Sequence, residues 1–249
     1  MRGLLSLTWL ETKIFMREPL GAIGTLVMPV AVFLLIGGSM NRGTGAPLRS
    51  TQVEFLQSGL PVLASVFMAI GAVMSLVTII SIYREGGILK RLRATPLRPH
   101  TILSAQVVVR LLFTALSLTL MVLAGRRFYP AGLNAPVLSF ALALILSTLS
   151  ILSIGFIIAS LVRTARFAQP VGALIFYPMI GLSGLFMAVE SMPAGLQIVA
   201  RFLPITYVVS LLRGIWLGEG WIAHLDDVAA LMVVGVVCTM VSSRVFRWE

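Results

Sequence analysis

Long runs without a formal charge alternate along this chain with short basic clusters. Phe55 to Tyr83 carries no charge over 29 positions, Thr101 to Gly125 carries only Arg110, and Phe128 to Val162 is uncharged over 35 positions. About 20 apolar helical residues cross the roughly 30 Å hydrocarbon layer. Helix is the expected form because each segment must satisfy its own backbone polar groups in lipid. The charge boundaries predict six spans, at about residues 20–40, 59–83, 101–125, 137–162, 167–189 and 222–243. The sixth is carried back toward Trp221, which places His224, Asp226 and Asp227 at its interfacial end. The expected fold is an all-α polytopic membrane protein with one domain over residues 1–249.

Two stretches depart from simple spans. Near the start, Leu4, Leu7, Leu10 and Ile14 recur at helical spacing, Lys13 and Arg17 fall on another face, and Glu11 intrudes on the apolar arc. This pattern predicts an amphipathic helix lying along the inner membrane surface and closing near Pro19. Between spans five and six, apolar pieces such as Phe202–Leu212 are too short to cross, and Pro193 and Pro204 interrupt them. Segments of this length read as re-entrant or interfacial, here on the external side.

Composition agrees with the pattern: 58% of residues are hydrophobic and 11% charged, against roughly 25% charged in soluble domains. The net charge of +10 would suit nucleic acid, but the cations flank apolar runs instead of forming one stripe, which fits anionic lipid better. Twelve Lys and Arg flank one side of the predicted spans and six the other, with Arg110 inside a span. The positive-inside rule therefore puts both termini and residues 83–100 in the cytoplasm. Trp9, Tyr83 and Trp248 fall at predicted inner boundaries and Tyr129, Trp216 and Trp221 at outer ones, which reads as belt aromatics, and no cleavable signal peptide is expected. A lone Cys238 excludes an intramolecular disulfide.

The sequence YREGGILKRLRATPLRPH, residues 83–100, combines several signals. Gly86 and Gly87 permit a sharp turn, Ile88, Leu89 and Leu92 share one helical face, and Lys90, Arg91 and Arg93 occupy the rest. Pro96 and Pro99 end the helix. An ordinary basic loop would show the charge alone; the composite favours a short docking helix.

Tyr83 to Leu97 closely resembles the cytoplasmic segment of the ABC-2 family, the membrane subunits of type-2 ABC exporters. Ser183-Gly184-Leu185-Phe186, Met192-Pro193, Leu203-Pro204-Ile205-Thr206-Tyr207 and Leu212-Arg213 are similar to that family's fifth-span ending and external re-entrant region. Arg17-Glu18-Pro19 is similar to the close of its N-terminal helix. The resemblance covers essentially the whole chain; Met187-Ala188-Val189 departs from it where the family often has proline. It implies an ATPase-coupling helix built on Glu85, Gly86, Gly87, Leu89, Lys90, Arg91, Leu92, Arg93, Thr95 and Pro96. It further implies an interfacial helix marked by Lys13, Arg17 and Pro19, and an outer gate that includes Ser183, Gly184, Phe186, Pro193, Pro204, Tyr207 and Arg213.

The implied function is that of an exporter's permease subunit in a prokaryotic cytoplasmic membrane, moving an amphipathic drug, antibiotic or lipid. Its expected partners are two copies of an ABC ATPase, a second permease subunit (identical or not) and membrane lipid, with no nucleic acid. Alternatives are a polysaccharide- or glycolipid-exporting permease and an ATP-independent channel or scramblase. The sequence has no G-x-x-x-x-G-K-[ST] loop, so ATP and Mg2+ are expected in the partner and no cofactor here. No HExxH, no G-x-S-x-G and no carboxylate pair within a span points to an enzyme. Arg110 is either a snorkelling residue near the inner interface or a group on a substrate path or dimer seam. His224, Asp226 and Asp227 form too sparse a set for a metal site.

Overall fold

The computed structural model describes residues 2–17, 23–41, 59–87, 99–128, 136–162 and 164–245. Among these residues there are nine α-helices and no strands. They are α1 (Arg2–Arg17), α2 (Met28–Asn41), α3 (Leu60–Glu85), α4 (Pro99–Phe128), α5 (Val137–Leu161), α6 (Ala165–Gly181), α7 (Ala194–Phe202), α8 (Pro204–Leu217) and α9 (Leu225–Val245). A π-turn, Ile23–Val27, runs directly into α2. Pro29 gives a reason for it: a residue without an N–H cannot complete the regular i to i−4 ladder.

Helix α3 is the centre of the bundle. It is apolar on every face, packs against α2, α4, α5, α6 and α8, and is buried over 72% of its most apolar stretch. A helix hydrophobic all round belongs inside. Its closest neighbour is α5, where Gly155 lets the two backbones approach: a Cβ there would lie 2.8 Å from Val73 Cγ1. Helix α9 packs on α5 and α8, yet only 11% of its apolar stretch is buried. That difference separates a core helix from one whose outer face is left for lipid or another chain.

Among the described residues, four helical segments are long and apolar enough to cross a membrane: Leu60–Glu85, Leu103–Ala124, Val137–Leu161 and Trp221–Arg244. They match the expected second, third, fourth and sixth spans. The expected fifth span, 167–189, is shorter in the structure. Helix α6 stops at Gly181, because Ser183 Oγ donates to Ile180 O (2.6 Å) and Gly184 turns the chain at φ 82°. Helices α7 and α8 form a bent pair at 85°, in the stretch read as re-entrant. Leu203 is extended (ψ 122°), as a residue before proline is driven to be, and Pro204 opens α8, where a missing N–H costs nothing.

Candidate functional site

Two clusters of polar side chains lie at opposite ends of this bundle. One surrounds the end of α3 that leads into residues 88–98. Tyr83, 8% exposed, points its hydroxyl at both oxygens of Glu11, at 2.8 and 2.9 Å. Glu11 is itself 6% exposed. The residue that interrupted the apolar arc of α1 is therefore the one that docks this helix, together with Phe15 one turn on. Phe15 stacks on Phe113 of α4 with ring centroids 4.3 Å apart. Leu5, Trp9, Leu10 and Met16 stay exposed, so the lipid-seeking face of α1 turns away from the protein. Lys13 and Arg17 are exposed as well.

Arg110 lies next to this dock. It is 3% exposed, its guanidinium sits 4.9 Å from the centroid of the Phe15 ring, and Nη2 donates to Ser75 O at 3.4 Å. A cation over an aromatic face out of water gains about 2 kcal/mol, so Arg110 is held by packing within this chain, beside the helix that docks on Tyr83.

Arg84 completes the same end. Its Nη1 donates to Ser160 O (3.2 Å) and Val162 O (3.1 Å), carbonyls at the C-terminus of α5 that have no partner within their own helix. A cation is also favoured there by the helix dipole. Consecutive residues of α3, Tyr83 and Arg84, thus reach α1 on one side and α5 on another. Glu85 and Gly86 follow on the surface and Gly87 turns at φ 65°. Leu89, Lys90, Arg91, Leu92, Arg93, Thr95 and Pro96, and likewise Pro19, lie outside the described residues.

The other cluster is a pocket of about 370 Å³ between the turn after α6, helices α7 and α8, and the start of α9. Its walls are tied by short-range bonds. Gln197 Nε2 donates to Glu190 O (3.1 Å) and Met192 O (2.9 Å). Thr206 Oγ1 donates to Ala200 O (2.7 Å) and Tyr207 Oη to Arg201 O (2.6 Å), which satisfies the last carbonyls of α7 across the bend. Helix α8 ends with Gly218 at φ 88° and Glu219 N donating back to Gly214 O at 2.9 Å, a left-handed cap that suits glycine.

That cap delivers Glu219 to His224. His224 Nε2 faces Glu219 Oε2 at 2.7 Å, and Nδ1 faces Asp227 Oδ2 at 2.8 Å. Asp227 Oδ2 also accepts from Ser210 Oγ at 2.7 Å. A carboxylate thus faces each ring nitrogen, an arrangement that favours the doubly protonated imidazole. The ring lies on the bare backbone of Gly214, where a methyl group would overlap it. Both nitrogens of His224 are thus bound to protein carboxylates, and Asp226 is exposed.

Of the residues assigned to the outer region, Ser183, Gly184, Tyr207 and Arg213 line this pocket. Phe186 projects away with 64% exposure, and Pro193 and Pro204 set the starts of α7 and α8. Two belt readings need correction. Tyr83 is a buried hydrogen-bond donor, and Trp216 is 5% exposed against Phe140 in an edge-on contact at 4.8 Å.

Residues 2–217 match the family described as ABC-2 type transporter. The chain belongs to the ABC-2 family. It is also similar to Nodulation protein J of Rhizobium leguminosarum bv. trifolii, 30% identical over 111 residues, which is 44% of this chain and 42% of the relative. The match thus spans about two fifths of that relative's length. As an ABC-2 chain this protein is a multi-pass membrane component of a transporter, and the family's match reaches from α1 through the bent α7–α8 pair.

Proposed function

We propose that this chain is the permease subunit of an ATP-driven exporter in a prokaryotic cytoplasmic membrane. Both termini and residues 88–98 lie inside, and the pocket bounded by His224 lies outside. Two permease subunits pair with two copies of a separate ATPase, which holds ATP and Mg2+. Residues 86–96 dock on that ATPase with Leu89 and Leu92 as apolar anchors, while Lys90, Arg91 and Arg93 complement acidic groups on the ATPase or lipid.

The observation that carries this reading is the brace made by Tyr83 and Arg84. A force applied at residues 88–98 enters α3 at the point where it is bonded to α1 and to α5. It therefore moves three helices together instead of fraying one. An amphipathic cargo is supported by a second cavity of about 450 Å³ between α4, α5 and α9, lined mainly by Leu103, Val107, Leu149, Leu152 and Phe156, with Ser242 and Ser243 also on its wall. The export direction rests on membership of the family.

The test replaces Leu89 and Leu92 together with Asp and measures co-purification with the partner ATPase. Burying two carboxylates in an apolar contact without partners is strongly unfavourable, so the complex is expected to dissociate. Undiminished association would sink the docking reading.

A further inference from the structure

The pocket at the His224 end holds more charge than its own bonds consume. Arg213 projects from α8 into it. Among the described residues, Arg213 meets no carboxylate within ion-pair distance, and its Nε is buried without an acceptor. A buried donor left unmade is costly, more so on a charged group. Three acids line the pocket: Glu190 is exposed and forms no ion pair with Arg213, and the other two are engaged elsewhere. Glu219 and Asp227 line the same pocket, but each is bonded to His224, and Asp227 also accepts from Ser210.

The position of that histidine is built in. Gly214, the residue next to Arg213, is bare so that the imidazole can lie against the helix, and the left-handed turn at Gly218 brings Glu219 round to its far nitrogen. The arrangement keeps two carboxylates on the imidazole and leaves a guanidinium facing the cavity. A guanidinium presents its donors in a planar fork that fits phosphate and carboxylate oxygens. The volume of about 370 Å³ accommodates a polar head and not a whole lipid.

We infer that this pocket binds the anionic head of an amphipathic molecule, a phosphate or a carboxylate, with Arg213 as its counter-ion. The His224–Glu219–Asp227 cluster is the wall that holds two of the pocket's three acids away from the site. This deepens the permease reading by naming the chemistry recognised at the outer end, and it rests on that reading for the word outer alone.

The binding test uses the purified full chain in uncharged detergent, without the ATPase, so its outcome is independent of the docking experiment. Calorimetric titration compares dihexanoyl phosphatidylglycerol, dihexanoylglycerol (the same tails without phosphate) and inorganic phosphate. Saturable binding of the phospholipid, none of dihexanoylglycerol, and a loss of about tenfold or more in R213Q are expected, with R213K, which keeps the charge but not the fork, falling between wild type and R213Q. H224Q, which releases the two acids into the cavity, is expected to weaken binding as well. If inorganic phosphate alone competes at similar concentration, the anion site stands and its ligand is a free anion. Equal binding of dihexanoylglycerol, or unchanged affinity in both R213Q and H224Q, overturns the proposal. R213K, expected to fold even if R213Q does not, overturns it equally if it binds the two lipids alike.

Discussion

The two ends of this bundle are held by different kinds of bond. At the end leading to residues 88–98, the polar contacts join residues far apart in sequence: Tyr83 to Glu11 across 72 positions, and Arg84 to Ser160 and Val162 across 76 and 78. At the opposite end they are local. Gln197 reaches back seven and five positions, Tyr207 six, His224 five back and three forward, and the longest, Ser210 to Asp227, crosses 17. Long-range bonds tie separate helices into one unit. Local bonds fix the shape of the α7–α8 bend, while α8 itself is anchored in the bundle by apolar packing through Ile205, Val208, Leu211 and Leu212. On the permease reading proposed above, the contrast suits transmission of force at the first end and local adjustment at the second.

The largest expected effect tests the long-range bonds. Y83F leaves a buried Glu11 carboxylate without its donor and is expected to lower stability by about 1.5–3 kcal/mol, read from thermal unfolding of the purified chain. Hydrogen exchange should then rise both in 2–17 and at the end of α3. Loss of protection around residue 83 alone would break the comparison, because α1 would not depend on that bond.

Next comes the glycine contact that lets α3 and α5 move together. G155A must displace Val73 or part the helices, at about 1–3 kcal/mol. V73A in the same chain should recover part of that loss in a double-mutant cycle. Additive effects would mean that the helices do not meet there.

R84M removes the two bonds to the end of α5 and is expected to cost about 1 kcal/mol, with exchange rising near residue 160. The smallest effect is predicted at the other end. S210A should cost about 0.5–1 kcal/mol with changes in exchange confined to residues 204–228. Spread of those changes into α1 would show that the polar bonds at this end are not local in effect.

Much of this architecture was legible in the sequence. Uncharged runs located α3, α4, α5 and α9, because burial in lipid or core excludes charge wherever the helix crosses. Pro204 announced the bend, since it fixes Leu203 in an extended conformation whatever surrounds it. The end of α6 was overrun, although Ser183-Gly184 carried the stop signal, because the apolar composition continues through Leu185, Phe186 and Met187. Glu11 was visible as an anomaly on an apolar arc. Its partner was not, because nothing in the spacing of one chain says which of many distant hydroxyls will face it. Tyr83 lay at a predicted boundary, where tyrosine ordinarily marks the interface, and only the docked α1 turns that position into an interior. The pocket was only partly readable: Gly218-Glu219-Gly220 is a recognisable turn, but the stacking of His224 on Gly214 is a matter of tertiary contact.

The bond between Glu11 and Tyr83 also sets an order of events during synthesis. Its two halves are made 72 residues apart, roughly 4–14 s at about 5–20 residues per second. Through that interval α1 exists without its dock, and its exposed Leu5, Trp9, Leu10 and Met16 suit it to wait at the bilayer surface. Helix α1 therefore settles only after α3 has been made, and its final placement becomes a checkpoint on whether α3 has been inserted.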